Sequence, residues 1–367
     1  MWCRYVYIEL MMKKVITAIV ALVIVALMAF GYMNASHHSA EGHESKLNPK
    51  EVIFEHLGDA YGWEIPFSHH YRIPLPIIVH DNQGWHCFLS NRLADGKEYD
   101  GFKIATEGEY KGKVVSVDGT RPLDFSITKN AFGIFIAAVL VILMVFSIRR
   151  WYKKHGMKAP RKGTAMLELI VDFVYTDTIR PIMGREAPKY APYLLTVFFF
   201  ILTMNLLGLI VIFPGGANLT GNLAVTMVLA VCTFLVTNLT GTKEYWKEIF
   251  WPDVPVALKC PVPMMPLIEF LGILTKPLAL MVRLFANMLG GHMVVLVLVL
   301  LIMIFTEMFG AAVGAGTAVI SVLLSLFMLL LDTLISFIQA FVFTLLSTIF
   351  ISMAHVKHHV KVEVNKE

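Results

Sequence analysis

Residues 266–305 read PLIEFLGILTKPLALMVRLFANMLGGHMVVLVLVLLIMIF, a long apolar run of helix formers with Arg283 near its middle and Asn287 and His292 after it. An arginine at bilayer depth costs at least about 2.5 kcal/mol on insertion scales, and its guanidinium stays charged at any accessible pH. A sequence carries that cost where a fixed positive charge performs a task, or where a carboxylate neutralises it. The group that faces Arg283 therefore decides what this chain does.

The composition sets the class. Apolar residues make up 57% and charged residues 16% of the chain, against roughly 45–50% and 25% in soluble domains. Several uncharged runs are long enough to cross about 30 Å of hydrocarbon, so the sequence describes a polytopic membrane protein. The net charge of +4 comes from basic residues gathered in a few loops, and it reports topology, with no nucleic-acid partner implied. The four cysteines, Cys3, Cys87, Cys232 and Cys260, have no metal-ligand spacing. They imply neither a disulfide framework nor a zinc site, and no cofactor is expected.

Outward from the opening stretch, the chain divides into four segments. Residues 1–35 place Lys13 and Lys14 before an uncharged run that ends at Asn34-Ala35-Ser36. This is the arrangement of a signal peptide, although Met33 suits a cleavage site poorly and an uncleaved anchor stays open. Residues 36–129 form an exported, periplasmic extension. Short apolar runs at 73–79, 112–117 and 123–128 alternate there with turn signals such as Asp81-Asn82-Gln83-Gly84 and Asp118-Gly119, a pattern that predicts a small strand-containing domain. Eight of the thirteen histidines fall in this segment; without a cysteine pair or a ligand spacing they read as solvated surface groups.

Residues 130–357 form the membrane domain. A span from Ala131 to Ile148 ends at Arg149-Arg150-Trp151-Tyr152-Lys153-Lys154, a basic and aromatic flank of the cytoplasmic kind. Residues 156–189 read as an amphipathic helix on the membrane surface. Spans follow over Tyr190–Phe213 and Leu223–Leu239, then a proline-rich piece, 252–266, that re-enters the membrane. The stretch 266–305 and a last one, 318–354, flank the small-residue turn GAAVGAG. Residues 358–367 are a cytoplasmic tail. Five spans, with the N-terminal region outside and the C-terminus inside, put every basic cluster beside a span on the cytoplasmic side. The expected fold is an all-α polytopic membrane protein of five transmembrane helices, including a long tilted two-helix hairpin, after a signal peptide and a small strand-containing exported domain.

The last two stretches are too long for upright spans. Forty residues at about 1.5 Å each give roughly 60 Å, twice the hydrocarbon core, so continuous helices there are steeply tilted and need another protein surface to lie against. With the turn near residue 312, His292 falls level with Asp332, and Arg283 within about a turn of Gln339. Asp332 is the sole charge between Ala318 and Ala354, and Arg283 and His292 are the sole titratable groups between Lys276 and Glu307. Intramembrane ionisable groups are functional candidates, and a histidine level with a carboxylate suggests a proton relay. Structural readings stand beside this one. Arg283 and Asp332 could form a tether, though about nine residues of rise separate their levels. His292 and Asp332 could form a satisfied hydrogen bond, Asn287 and Gln339 could be packing amides, and Glu269 could snorkel to the cytoplasmic interface. Glycines 290 and 291 read as close-approach positions between helices.

The segments TKPLALMVRLFANMLGGH, LDTLISFIQAFVFTLLSTIFISMA and TMNLLGL resemble subunit a of the F-type ATP synthases, over roughly residues 125–357 and most densely in the last ninety. The resemblance implies a stator subunit that forms two offset proton half-channels against a rotating ring of c subunits. It also implies the b subunits of the peripheral stalk and the remainder of the ATP synthase complex as partners, in the bacterial inner membrane among its lipids. Arg283 matches the arginine that meets the ring carboxylates, with Asn287 and Gln339 in support. His292 and Asp332 match the titratable pair of the outside half-channel, in the order of mitochondrial members, and Glu269 matches a carboxylate of the cytoplasmic half-channel. The exported segment 36–129 is longer than in most members. The chain has no G-x-x-x-x-G-K-[ST] loop, so ATP chemistry would belong to partner subunits.

The alternative is a secondary ion transporter or channel with an intramembrane charge relay. Such a protein would show matched internal repeats, and no repetition is visible. An intramembrane hydrolase needs a nucleophile beside a base; Ser336 lies four residues from Asp332, but no histidine follows in place.

Overall fold

The structure is a computed structural model, which describes residues 58–64, 72–81, 84–105, 110, 112–117, 120–156, 160, 163–210, 218–250 and 264–355. The expected signal peptide, residues 252–263 of the re-entrant piece and the C-terminal tail lie outside the described residues, as do His37, His38, His43, His56, His69 and His70. The chain forms two compact units. One holds the described residues up to Leu140 with Met204–Leu219 and Gly290–Leu334; the other holds Val141–Thr203, Thr220–Leu289 and the residues from Ile335 on.

The first unit opens with short antiparallel strands. β1 (Gly62–Glu64) pairs with β2 (Arg72–Pro74), β3 (Pro76–Asp81) lies between β4 (Gly84–Leu89) and β7 (Leu123–Asp124), and β5 (Phe102–Ile104) pairs with β6 (Val114–Ser116). β6 and β7 lie within the expected apolar runs 112–117 and 123–128, and β2 and β3 overlap the run 73–79. β4, GWHCFL, escapes the sequence pattern because Trp85, Cys87 and Leu89 alternate with His86 and Phe88, so neither face reads as polar. One face of these strands buries Tyr61, Ile77, Val79, Phe88, Phe102 and Val114 in a common core. Asp100 (φ 53) and Gly101 (φ 78) make the tight turn before β5, and Tyr99 and Phe102 exchange both backbone hydrogen bonds across it. Asp is among the few residues that tolerate this left-handed geometry.

The strands are bound to the first long helix, α1 (Lys129–His155). The Lys129 amide donates to the Ala60 carbonyl at 2.9 Å, and the Asn130 amide donates to Asp59 Oδ1 at 3.2 Å. Trp63, 2% exposed, meets Phe132 edge-on with ring centroids 6.0 Å apart. A carboxylate at the helix start satisfies an otherwise orphaned amide and complements the helix dipole.

The remaining helices are α2 (Gly163–Asp172), α3 (Arg180–Met183), α4 (Ala187–Leu209), α5 (Leu223–Thr240), α6 (Lys243–Phe250), α7 (Met264–Phe309) and α8 (Ala311–Ala354). The segment expected to be a surface helix, 156–189, and the span after it are one nearly continuous helical run over Gly163–Leu209. A π-helical stretch, Phe173–Ile179, joins α2 to α3, and Gly184, at φ 54, breaks the run before α4. Within the second unit, Tyr193 bonds Thr233 of α5 at 3.0 Å, and Tyr190 bonds His355 at 2.7 Å. Five helices among the described residues are long and apolar enough to cross a membrane. The protein is an integral membrane protein.

α7 has 46 residues and α8 has 44, and Gly310 alone separates them. The expected turn GAAVGAG is helical from Ala311 on. Gly310, at φ 84, ends α7 as a left-handed cap, a conformation a Cβ would penalise. Helix formation resumes at once, with the Gly314 amide donating to the Gly310 carbonyl at 3.1 Å. α7 also runs through Pro277 without ending.

Candidate functional site

In the second unit α7 has an open face. Leu274, Leu278, Val282, Arg283, Ala286 and Asn287 are exposed, while Leu280, Leu284 and Met288 are buried. The steps of three and four residues put each set on its own side of the helix. Arg283 thus stands on a surface of aliphatic and small side chains, one turn before Asn287, and none of the ion pairs among the described residues involves it. Asn287 Nδ2 donates to Gln339 Oε1 at 2.7 Å, and Gln339 is 4% exposed. An amide pair of this kind fixes how two membrane helices meet, here one turn from the guanidinium. Glu269 lies near the start of α7, and its side chain is outside the described residues.

α8 buries a run of polar side chains around Gln339. Ser336, Thr344, Ser347 and Thr348 are 3% exposed or less. The hydroxyls of Thr344, Ser347 and Thr348 donate to carbonyls four residues back, at 2.7–2.9 Å, which lets them be buried without a cross-helix partner. Beyond Ser336, the sequence gives this run no signal. Serines and threonines in an apolar helix are individually unremarkable, and only their common face gives them away.

In the first unit α7 and α8 bring Gly291 and Asp332 together. A Cβ built on Gly291 would lie 2.7 Å from Asp332 Oδ1 and 2.9 Å from both Cγ and Oδ2. The Asp332 carboxylate, 9% exposed, thus rests directly on the α7 backbone beside half-buried His292. The glycine expected to permit close helix approach makes room for the Asp332 carboxylate. Ser321 and Ser325, which lie four residues apart with Ser325 seven residues before Asp332 along α8, are buried as well, at 1% and 9%.

Among the strands, His86 departs from the expectation of a solvated histidine. Its Nδ1 lies 2.5 Å from Asp100 Oδ2, its Nε2 lies 3.4 Å from Asp81 Oδ1, and its ring packs edge-on to Phe102 at 5.2 Å. The hydrogen bond to Asp100 holds the imidazole above the usual histidine range. Among the described residues no group of three or more His, Cys, Asp or Glu side chains is placed to hold a metal ion.

A helical membrane protein with paired amides, an arginine and a carboxylate along two long adjacent helices is the class this geometry defines. The family model described as ATP synthase A chain matches residues 131–352, more than half of the chain, and the chain belongs to that family. A second model, described only as a domain of unknown function, matches residues 52–130. Among curated relatives, ATP synthase subunit a of Myxococcus xanthus is 44% identical over 180 residues, covering 47% of this chain and 56% of the relative. Subunit a of Chloroherpeton thalassium is 36% identical over 214 residues, with 57% and 60% covered. Subunit a of an Anaeromyxobacter strain is 34% identical over 269 residues, with 70% and 60% covered. The chain spans about half to three-fifths of the length of these relatives.

Proposed function

We propose that the chain is the stator half of a rotary proton path. α7 and α8 lie against a ring of partner subunits, each carrying one carboxylate at bilayer depth, and Arg283 meets those carboxylates in turn. His292 and Asp332 form the relay of the outside half-channel, and Glu269 serves the cytoplasmic one. The two half-channels are offset, so that protons crossing the membrane turn the ring and drive ATP synthesis on other subunits. The chain works in the bacterial inner membrane, held to the complex by b subunits of the peripheral stalk, with its strand-bearing region outside and its C-terminus in the cytoplasm.

The observation that carries this reading is the placement of Arg283 on the open face of α7, one turn from the Asn287–Gln339 hydrogen bond. A guanidinium about 4 Å from a carboxylate, at an effective dielectric near 20, contributes about 4 kcal/mol. That is some three pKa units, enough to release a proton from an arriving ring carboxylate. Arginine keeps its own proton, so it also separates the two half-channels. Each proton that crosses releases about 2.3 kcal/mol per 100 mV.

The test is Arg283→Ala in the assembled complex. Gradient-driven ATP synthesis is expected to vanish while the complex still assembles, and coupled synthesis at the native rate would sink the proposal.

A further inference from the structure

The outer face of the sheet β4-β3-β7 is apolar. Residues paired across an antiparallel ladder point to the same side, and the register sets His80 beside both Trp85 and Leu123, and Pro76 beside Leu89. Phe125 continues β7, donating its amide to the Ile78 carbonyl at 2.9 Å. Trp85 is 64% exposed, Leu123 65%, Phe125 60% and Leu89 51%. The rings of Trp85 and Phe125 lie 5.5 Å apart, and His80 meets Trp85 at 4.7 Å. The face carries no Asp, Glu, Lys or Arg among the residues named. An antiparallel sheet with one face on a core ordinarily shows polar residues on the other, and an apolar patch of this kind marks a contact surface.

The chain restricts what can lie there. Phe125 is four residues from Lys129, where α1 begins, so at most about 14 Å of extended chain separates them. α1 enters its uncharged run at Ala131, which sets Lys129 at the membrane–water boundary. Its first residues are held by Asp59, Ala60 and the contact of Phe132 with Trp63 of β1, and just before it the Ile127 amide donates to the Pro76 carbonyl of β3 at 3.1 Å, so the sheet cannot swing freely away on a loose tether. Farther along the same unit, α1 exposes Phe135 and Val139, at 62% and 54%, as a helix against lipid does. The apolar sheet face and the exposed apolar side chains of α1 thus belong to one unit and are joined by a few residues of chain. Trp is a preferred side chain of the interfacial layer, where an apolar body and a polar tip are both satisfied.

We infer that the outer face of β4-β3-β7 docks on the lipid bilayer, with Trp85, Leu123 and Phe125 inserted at the level of the headgroups. The strand-bearing region is then a membrane-surface module that fixes the start of α1 in depth and tilt. This holds whatever chemistry α7 and α8 perform.

Cys87, exposed and paired with Ile78 on this face, is a native probe. The full chain, with Cys3, Cys232 and Cys260 replaced by Ser, is labelled at Cys87 with an environment-sensitive fluorophore and placed in nanodiscs of phosphatidylethanolamine and phosphatidylglycerol. A chain labelled at Lys103→Cys on β5, with Cys87 also replaced by Ser, is the control. The expected result is a blue-shifted Cys87 label that loses most of its emission to lipid bearing a nitroxide at the top of the acyl chain, and far less to aqueous iodide. The control should show the reverse. Iodide quenching at Cys87 equal to the control would mean a solvated face and overturn the inference. Protection from both quenchers would overturn it too, since a protein segment or a second copy would then cover the face.

Discussion

A methyl group at position 291 has no space to occupy. It would come within 2.7–2.9 Å of three atoms of the Asp332 carboxylate, and neither the α7 backbone nor a side chain this short and buried can yield without turning the carboxylate away. Overpacking of this kind costs about 1–3 kcal/mol. Gly291→Ala is therefore expected to cut passive proton flux through the reconstituted complex about tenfold or more, a factor of ten corresponding to about 1.4 kcal/mol, while the chain still inserts and assembles. Unchanged flux would remove the close contact from the mechanism. Asp332→Asn keeps the volume and removes the charge. Slowed proton uptake with intact assembly is expected, and native flux from the asparagine variant would return Asp332 to a structural role. The sequence supplied both residues, because one acid in an uncharged run is conspicuous. That the glycine serves the acid was not legible, since nothing in a row of letters shows which side chain crosses to which backbone.

At the scale of elements, two pairings carry measurable energy. The Asn287–Gln339 amide contact, at 2.7 Å between α7 and α8, belongs to a class worth about 0.6–2 kcal/mol in membrane proteins. A double-mutant cycle of Asn287→Leu and Gln339→Leu, followed by thermal unfolding in detergent, should return a coupling of that size; additive single effects would mean the amides act independently. In the strand region the Asp100 hydrogen bond raises the pKa of His86 from its ordinary 6.5. A pKa higher in the folded than in the unfolded state stabilises fully below the unfolded value, and that contribution is lost as pH rises through the folded one. Hydrogen exchange in β4 and β5 of the full chain should accordingly quicken as pH rises above about 6.5, beyond the base-catalysed rate. His86→Gln should flatten that dependence. Equal pH profiles for the two chains would dismiss the ion pair. Sequence periodicity found the long helices readily, because many turns of apolar residues repeat the same signal. It missed β1, β4 and β5: two are three residues long, and β4 has no polar face to alternate with.

At the scale of the molecule, hydropathy and charge made the membrane class and the two long final helices legible, since a lipid environment constrains length and charge more tightly than any soluble core does. The near-continuous run over Gly163–Leu209 was less so, because Arg185, Glu186 and Lys189 at the junction read as an interface between separate elements. The single-residue turn at Gly310 escaped as well, hidden in small residues that suit a loop and a helix equally. That turn bears on how the protein can change over generations. With only one residue between α7 and α8, the phase of one helix against the other has no slack to absorb an added or lost position. One residue inserted between Gly310 and Asp332 would rotate the carboxylate by about 100°, off the Gly291 backbone and onto another flank. Polar side chains on this hairpin can be exchanged in kind, acid for histidine or amide for amide, because exchange preserves phase. Their spacing from the turn behaves as a reading frame.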